Sequence, residues 1–241
     1  MYREKNWRSI LKTLTWTLTG TITTFFLVLL FGLQLKAATA LALVELIVRF
    51  LLYYLHERVY NKLNFGKEAI APFILWFTGL PESGKTTLAY SVYNEMLKLE
   101  RKVEFLDGGN VREIIPSLGF SKEERTEHIQ RIGFMSSNLV KNNIIVIASF
   151  ISPYNDSRQF IRNMTNNFVE IYVNTPLEVC EQRDSKGFYK KARKGEIPNF
   201  TGINDPYEEP ENPEIILSTE FISIDDNTQT IVSYLQNRNF I

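Results

Sequence analysis

The run Gly79-Leu80-Pro81-Glu82-Ser83-Gly84-Lys85-Thr86-Thr87 has the Gly-x-x-x-x-Gly-Lys-Thr spacing of a phosphate-binding loop. In such a turn backbone N–H groups wrap an anion, the lysine reaches the β- and γ-oxygens of a triphosphate, and the threonine hydroxyl can ligate a metal ion. The chemistry implied is the binding of ATP with Mg²⁺, residues 79–87 forming the cradle, Lys85 neutralising charge and Thr86 holding the metal. Glu82 is out of keeping with this. A carboxylate in a loop built for anions is tolerable only if it points away from the phosphates or toward Mg²⁺.

Such a loop needs a strand to deliver it and a helix to follow it. Residues 73–78 are a continuous apolar run, and a helix is expected from residue 85 to about 102, its N-terminal dipole aimed at the same anion. Further β-rich runs cover 103–107, 143–150, 168–174 and 220–225, with helical stretches between them. Runs that are apolar without alternation mean strands buried on both faces. The fold class expected is therefore α/β, a nucleoside-kinase-like parallel sheet flanked by helices, with ligands at the carboxyl ends of the strands.

Composition narrows the function. The chain has 241 residues with 27 basic and 27 acidic side chains, so no excess positive charge points to a nucleic-acid partner. The single cysteine, Cys180, excludes an intrachain disulfide framework and sits in an apolar helical pattern as a small core residue. His56 and His128 are the only histidines and lie far apart in sequence, which speaks against a histidine metal site.

The first 65 residues are of another kind. After the basic Arg3, Lys5, Arg8 and Lys12, no charged residue occurs from Thr13 to Leu35. That length of about 23 residues would reach roughly 35 Å as a helix, enough to cross a bilayer core of about 30 Å. A secretory signal peptide fits less well, because the apolar run is too long and lacks a small-residue cleavage site. A second apolar segment, 37–55, is interrupted by Glu45 and Arg49, four apart and so on one helix face, which reads as an ion pair packed against the first helix. Basic residues flank the hairpin at both ends, with only Lys36 in the connecting turn, so both ends are expected on the cytoplasmic side of an inner membrane. The expected organisation is a membrane hairpin over 1–65, a linker over 66–72 and a nucleotide-binding domain over 73–241.

Two sets of phrases carry resemblances. Arg8-Ser-Ile-Leu-Lys-Thr-Leu-Thr-Trp16, Gly20-Thr-Ile-Thr-Thr-Phe25 and Leu52-Tyr-Tyr-Leu-His-Glu-Arg58 resemble a family of two-helix bacterial membrane domains of unknown function. Asp107-Gly-Gly-Asn-Val-Arg112, Phe150-Ile-Ser-Pro-Tyr154, Gly187-Phe-Tyr-Lys-Lys-Ala-Arg193, Asn199-Phe-Thr-Gly-Ile203 and Pro206-Tyr-Glu-Glu-Pro-Glu-Asn-Pro213, taken with the phosphate loop, resemble the adenylylsulfate kinase family across residues 73–241.

This second resemblance implies transfer of the γ-phosphoryl of ATP to the 3′-hydroxyl of adenylylsulfate, for sulfate assimilation, and a homodimer. It implies catalytic roles for Lys85 and Asp107, with Ser152 matching a serine labelled in the family as a phosphoserine intermediate. Direct in-line transfer needs no such intermediate, so Ser152 is expected to position substrate. Arg112 and Arg125 would hold the phosphosulfate, and Phe120 and Phe200 would sandwich the acceptor's adenine. Ile151 and Lys190 would contact the acceptor, Lys190 and Lys191 belonging to a lid over both nucleotides, and Arg183 would lie beside the ATP adenine.

Three positions depart from the family pattern. Gly109 stands where the family has a second aspartate, His128 and Gln130 replace asparagine and arginine at positions expected to face the acceptor, and Glu82 replaces a glycine. One reading of the first and last is that Glu82 supplies a carboxylate near the site vacated at 109. The changes leave two alternatives to adenylylsulfate phosphorylation: a 3′-kinase for a different nucleotide diester, or a catalytically weakened nucleotide-binding module tethered to a membrane.

Overall fold

The computed structural model describes residues 2–4, 6–31, 44, 47–49, 51–53, 55–56, 58–59, 63, 67–69, 71–114 and 119–241. The chain forms two compact units, Met1–Ile70 and Ala71–Ile241.

In the first unit, strand β1 (Tyr2–Glu4) pairs antiparallel with β2 (Lys67–Ala69), so part of the expected linker is a strand. Between them helix α1 runs over Asn6–Phe31. Its Thr15, Thr19, Thr23 and Thr24 hydroxyls donate to carbonyls one turn back. These bonds let polar side chains sit in an apolar helix with their hydrogen bonds made. Trp16 meets Tyr53 edge-on at 4.9 Å, Thr15 bonds His56, and Arg49 donates to Thr24. Among the described residues no helix is long and apolar enough to cross a membrane. The turn at 34–36 and Glu45, and with it the Glu45–Arg49 pair, lie outside the described residues.

The second unit is built on a parallel sheet in the order β4-β5-β3-β6-β7: β3 (Ile74–Thr78), β4 (Val103–Asp107), β5 (Ile145–Ser149), β6 (Phe168–Val173) and β7 (Ile215–Leu217). β3, β5 and β6 are buried along their whole length, as expected for strands covered on both faces. One face packs Leu75, Phe77, Ile147 and Ile171 against α2 (Lys85–Lys98) and α8 (Ile224–Asn237) through Leu88, Val92, Met96, Ile231 and Leu235. The other packs Ile74, Trp76, Val146 and Ala148 against α4 (Lys122–Lys141) and α5 (Asn155–Arg162) through Ile129, Ile132 and Ile161. The shorter α3 (Gly108–Ile114), α6 (Leu177–Gln182) and α7 (Phe188–Arg193) follow β4 and β6.

Two expectations need correction. Residues 220–225 are not a strand: Ser223 accepts from the Asp226 N–H and caps α8, with Asp225 and Asp226 in the first turn, a helix-start chemistry that outweighs local apolarity. The fifth strand is the short Ile215–Leu217. The helix after the phosphate loop ends at Lys98 rather than near 102, because Glu100 takes a left-handed φ of 54°.

Candidate active site

The strand ends bring the chemistry together. β3 opens into the phosphate loop, where Gly79 has φ 148° and a Cβ there would lie 2.6 Å from the Val173 carbonyl, and Gly84 has φ 91° with Thr219 filling the space a side chain would need. The Ser83 carbonyl is held from outside by Thr175 Oγ1 at 3.0 Å and Thr219 Oγ1 at 2.8 Å, and Tyr189 donates to the Pro81 carbonyl at 2.9 Å. These anchors come from 92 to 136 residues away, and nothing in the local sequence announces them.

Lys85 is buried at the start of α2 and donates to the Leu80 carbonyl at 2.5 Å. Burial lowers its pKa to about 8, against the opposing pull of Cys180, Glu82 and Asp107. At the end of β4, Asp107 is fixed on three sides: its Oδ1 accepts from Thr86 Oγ1 at 2.8 Å, and its Oδ2 from the N–H groups of Gly109 at 2.9 Å and Asn110 at 3.4 Å. Ser149, at the end of β5, is 3.1 Å from the Thr86 hydroxyl. A hydroxyl and a carboxylate side by side at the foot of a phosphate loop are hard oxygen donors suited to Mg²⁺, which takes one or two protein oxygens and completes its shell from phosphates and water. Among the described residues no cluster of three or more His, Cys, Asp or Glu forms an all-protein metal cage.

Glu82 adopts φ 57°, a left-handed conformation that suits the glycine it replaces. Its charge is felt by Lys85 on α2, which also feels Asp107, and by Cys180 and Tyr189 on α6 and α7. Gly109 sits on the opposite strand end, its N–H on Asp107. This arrangement gives no support to Glu82 as a stand-in for a carboxylate at 109.

On the acceptor side, Arg125 is buried and all three guanidinium nitrogens donate to protein: Nε to the Phe120 carbonyl at 2.9 Å, Nη1 to Thr201 Oγ1 at 2.7 Å, and Nη2 to the Asn199 carbonyl. It thus clasps the segments carrying Phe120 and Phe200, which are 80 residues apart in the sequence. Phe120 is exposed and stacks on the Arg112 guanidinium at 4.3 Å, and Phe200 meets Tyr189 edge-on at 4.9 Å. Burial, and the charge of Arg125, lower the Arg112 pKa.

Ser152 is buried with φ 40°. Its hydroxyl accepts from Trp76 Nε1 at 3.0 Å and donates to Thr78 Oγ1 at 3.0 Å, while Thr78 donates to the Ile151 carbonyl and contacts the Tyr207 hydroxyl. The loop is fixed by Arg158, buried in an ion pair with Glu170 at 2.9 Å, which donates to the Ser152 carbonyl at 2.5 Å and the Glu208 carbonyl at 2.6 Å. Such a serine works as a strut, buried and with its hydroxyl engaged on both sides.

Arg183 donates to Thr219 Oγ1 at 2.7 Å and to its carbonyl at 2.8 Å, beside the wall of the phosphate loop. Lys190 and Lys191 are exposed on α7, whose start is fixed by Asp184 accepting from the N–H groups of Phe188 and Lys190. Of the two altered acceptor-side positions, His128 is buried, whereas Gln130 lines a shallow outward pocket with Lys122, Thr126 and Tyr154. Sequence reasoning missed Ser149, Thr175, Thr219, Tyr189 and Tyr207; only the Gly-Phe-Tyr phrase around Tyr189 and the Pro-Tyr-Glu phrase around Tyr207 carried a signal.

Fold and site together define a P-loop kinase. Residues 71–218 match the family model described as adenylylsulphate kinase, and residues 10–61 match one described as predicted membrane protein (DUF2061). Over 168 residues the chain is 47% identical to the adenylyl-sulfate kinase of Halothermothrix orenii, covering 69% of this chain and 91% of that one, and it is 49% identical over 161 residues to a probable adenylyl-sulfate kinase of Pseudomonas aeruginosa, covering 66% and 75%. The structure of the Mycobacterium tuberculosis APS kinase CysC in complex with AMPPNP and APS superposes with a TM-score of 0.66 at 36% identity, covering 70% of this chain and 99% of that one. A hexameric APS kinase from Thiobacillus denitrificans gives a TM-score of 0.55 at 32% identity, over 70% of this chain and 30% of that one. The chain belongs to the adenylylsulphate kinase family.

Proposed function

We propose that the second unit transfers the γ-phosphoryl of ATP to the 3′-hydroxyl of adenylylsulfate, giving 3′-phosphoadenylylsulfate. The observation that carries this is the convergence of Lys85, Thr86 and Asp107 at the carboxyl ends of β3 and β4, together with the Phe120 and Phe200 segments clasped by Arg125. Phosphoryl transfer needs positioning and charge neutralisation more than covalent help. Lys85 supplies a positive charge at the β/γ-oxygens, and the loop's N–H groups and the α2 dipole hold the remaining charge. Thr86 and Asp107 would hold Mg²⁺, which when bound neutralises the triphosphate and fixes its orientation. With Gly109 lacking a carboxylate, Asp107 is the acid group left beside the reaction, held rigid by its three donors. Phe120 and Phe200 hold the acceptor base, Arg112 moves from Phe120 to the phosphosulfate, and Lys190 comes over the nucleotides to exclude water. Arg125 keeps the two aromatic segments together, and Ser152 supports the Ile151 carbonyl beside the acceptor.

The first unit holds the kinase at a bilayer as a two-helix hairpin, with the kinase on the cytoplasmic face of the inner membrane and domain limits near 65 and 73. Support comes from the match of residues 10–61, the basic residues at both ends, and the outward row of Leu14, Leu18, Ile22, Phe26 and Leu30 on α1, spaced at i, i+4 as a lipid-facing stripe. Dimerisation of kinase units follows the family resemblance, and a hexameric neighbour shows that related chains assemble.

The test is ADP release by detergent-solubilised protein with ATP, Mg²⁺ and adenylylsulfate, beside Lys85→Ala. Turnover is expected to require both adenylylsulfate and Lys85. ATP binding without turnover would turn the reading to another nucleotide acceptor or to a tethered binding module. Loss of the chain from the membrane fraction on alkaline washing would refute the hairpin.

A further inference from the structure

Tyr189 lies between two groups that serve different substrates. It is 2% exposed, and with Ala192 it forms the buried side of α7, while Lys190 and Lys191 are exposed. Gly187 at φ 70° and Gly195 at φ 77° flank this six-residue helix, and a Cβ added at either would meet nothing within 4 Å. A short helix flanked in this way is held by its buried side chains, of which Tyr189 is the larger. Its hydroxyl donates to the Pro81 carbonyl at 2.9 Å. Burial raises the Tyr189 pKa and the neighbouring Cys180 raises it further, so the hydroxyl keeps its proton and remains a donor. The Pro81 carbonyl and the Glu82 N–H belong to one planar trans peptide unit and point in opposite directions. A donor that fixes the carbonyl on the α7 side of the phosphate loop therefore fixes the N–H on the other side. The Ser83 carbonyl is held in the same manner by Thr175 and Thr219, which sets the Gly84 N–H, but of these three anchors only Tyr189 belongs to α7. The Tyr189 ring has a separate neighbour: it meets Phe200 edge-on at 4.9 Å and 75°, beside the Asn199 carbonyl that Arg125 holds.

We propose that Tyr189 is a positioning residue for both substrates, with a separate part for each: its hydroxyl sets the Glu82 N–H for the phosphates of ATP, and its ring sets Phe200 for the base of the acceptor. The inference rests on the reaction proposed above. An N–H held in advance receives an anion without reorganisation, and an aromatic edge against Phe200 fixes the orientation of the face on which a base stacks. Neither part of Tyr189 touches the reacting atoms. Its effect therefore falls on the binding of each substrate, in KM more than in kcat.

Steady-state kinetics of the full chain in detergent, for the parent, Tyr189→Phe and Tyr189→Leu, test this. Tyr189→Phe keeps the ring and loses the hydroxyl. It is expected to raise the KM for ATP about fivefold, as for loss of one neutral hydrogen bond, and to hold the KM for adenylylsulfate within about twofold of the parent. Tyr189→Leu loses both parts, and is expected to raise the adenylylsulfate KM about fivefold as well. Should Tyr189→Leu fail to fold, Tyr189→Met takes its place. A Tyr189→Phe enzyme with an unchanged KM for ATP, or with equal rises in both KM values, would overturn the inference and leave Tyr189 a packing residue of the lid. So would an adenylylsulfate KM that the leucine or methionine variant leaves where Tyr189→Phe has it. A parent without adenylylsulfate turnover would refute the proposed reaction. Calorimetry with a non-hydrolysable ATP analogue then still decides the role of the hydroxyl, equal affinity for the parent and Tyr189→Phe overturning it.

Discussion

Replacing Glu82 by glycine separates two accounts of the least expected residue in the phosphate loop. At φ 57° a non-glycine residue bears roughly 1–2 kcal/mol of left-handed strain, of which glycine's greater freedom in the unfolded chain returns up to about 1 kcal/mol. Glu82→Gly should therefore stabilise the kinase unit by about 0.5–1 kcal/mol. Its effect on ATP is electrostatic. Lys85 feels the Glu82 carboxylate, so the phosphates that Lys85 holds feel it too. Taking a separation of roughly 7 Å and an effective dielectric of roughly 40, the repulsion is about 1 kcal/mol for each unit of phosphate charge left unscreened, or about fivefold in affinity. Isothermal calorimetry with a non-hydrolysable ATP analogue should show binding tightened by that factor, with urea unfolding shifted to higher midpoint. A variant that binds no tighter and loses more than tenfold in kcat on adenylylsulfate would refute this reasoning and make Glu82 a working part of the reaction.

The remaining predictions concern buried groups. Lys85, with its pKa lowered to about 8, is restored to full charge by phosphate, so ATP binding at pH 8.5 should take up a proton, and affinity should fall by up to tenfold per unit above pH 8; equal binding heats in buffers of different ionisation enthalpy would contradict this. His128 binds its proton at about pH 4 when folded and about 6.5 when unfolded, so the unfolded state holds more protons between these values and stability falls as pH drops through them, by about 3 kcal/mol in all. Urea titrations at pH 7 and 4.5 should show that loss in the parent and a smaller one in His128→Asn. Ser152→Ala should leave Trp76 Nε1 without its acceptor, lowering stability by about 1–3 kcal/mol while kcat falls less than tenfold; abolished turnover together with a trapped phosphoserine in the parent would restore the covalent role.

What could be read from the sequence follows the range of the interactions. The phosphate loop, the strand before it and the helix after it are local, and glycine spacing with apolar runs was enough to locate them. The strand ending at Asp107 was legible to the residue, because a β-rich run stopped by Asp-Gly-Gly marks its own end, even though at the sheet edge it is only partly buried. The last strand was misplaced because Phe221-Ile-Ser-Ile224 is apolar in the same way, and the capping of α8 by Ser223 was the competing signal. Roles that depend on who meets whom were least legible. Arg125 looked like a ligand for an anion because a guanidinium suits one, and the structure adds a second use: one N–H on each of its three nitrogens goes to a carbonyl or hydroxyl up to 76 residues away.

The same distinction bears on Gly109. A missing carboxylate reads in the sequence as a loss; what the structure shows at that position is a backbone N–H, which any residue but proline would offer, held on Asp107. A Cβ at Gly109 would stand 3.0 Å from Asp107 Oδ2, the oxygen that its own N–H now holds. An aspartate there would set two carboxylates side by side, and without a metal between them each would raise the other's pKa. With glycine, the remaining carboxylate keeps a backbone donor close to one oxygen and the Thr86 hydroxyl on the other, so its orientation is set before any ligand arrives. On the proposed reaction this leaves Asp107 as the single carboxylate beside the phosphates, held by the Thr86 hydroxyl and two backbone N–H groups, so Asp107→Asn is expected to cost more in turnover than the loss of one of two carboxylates would.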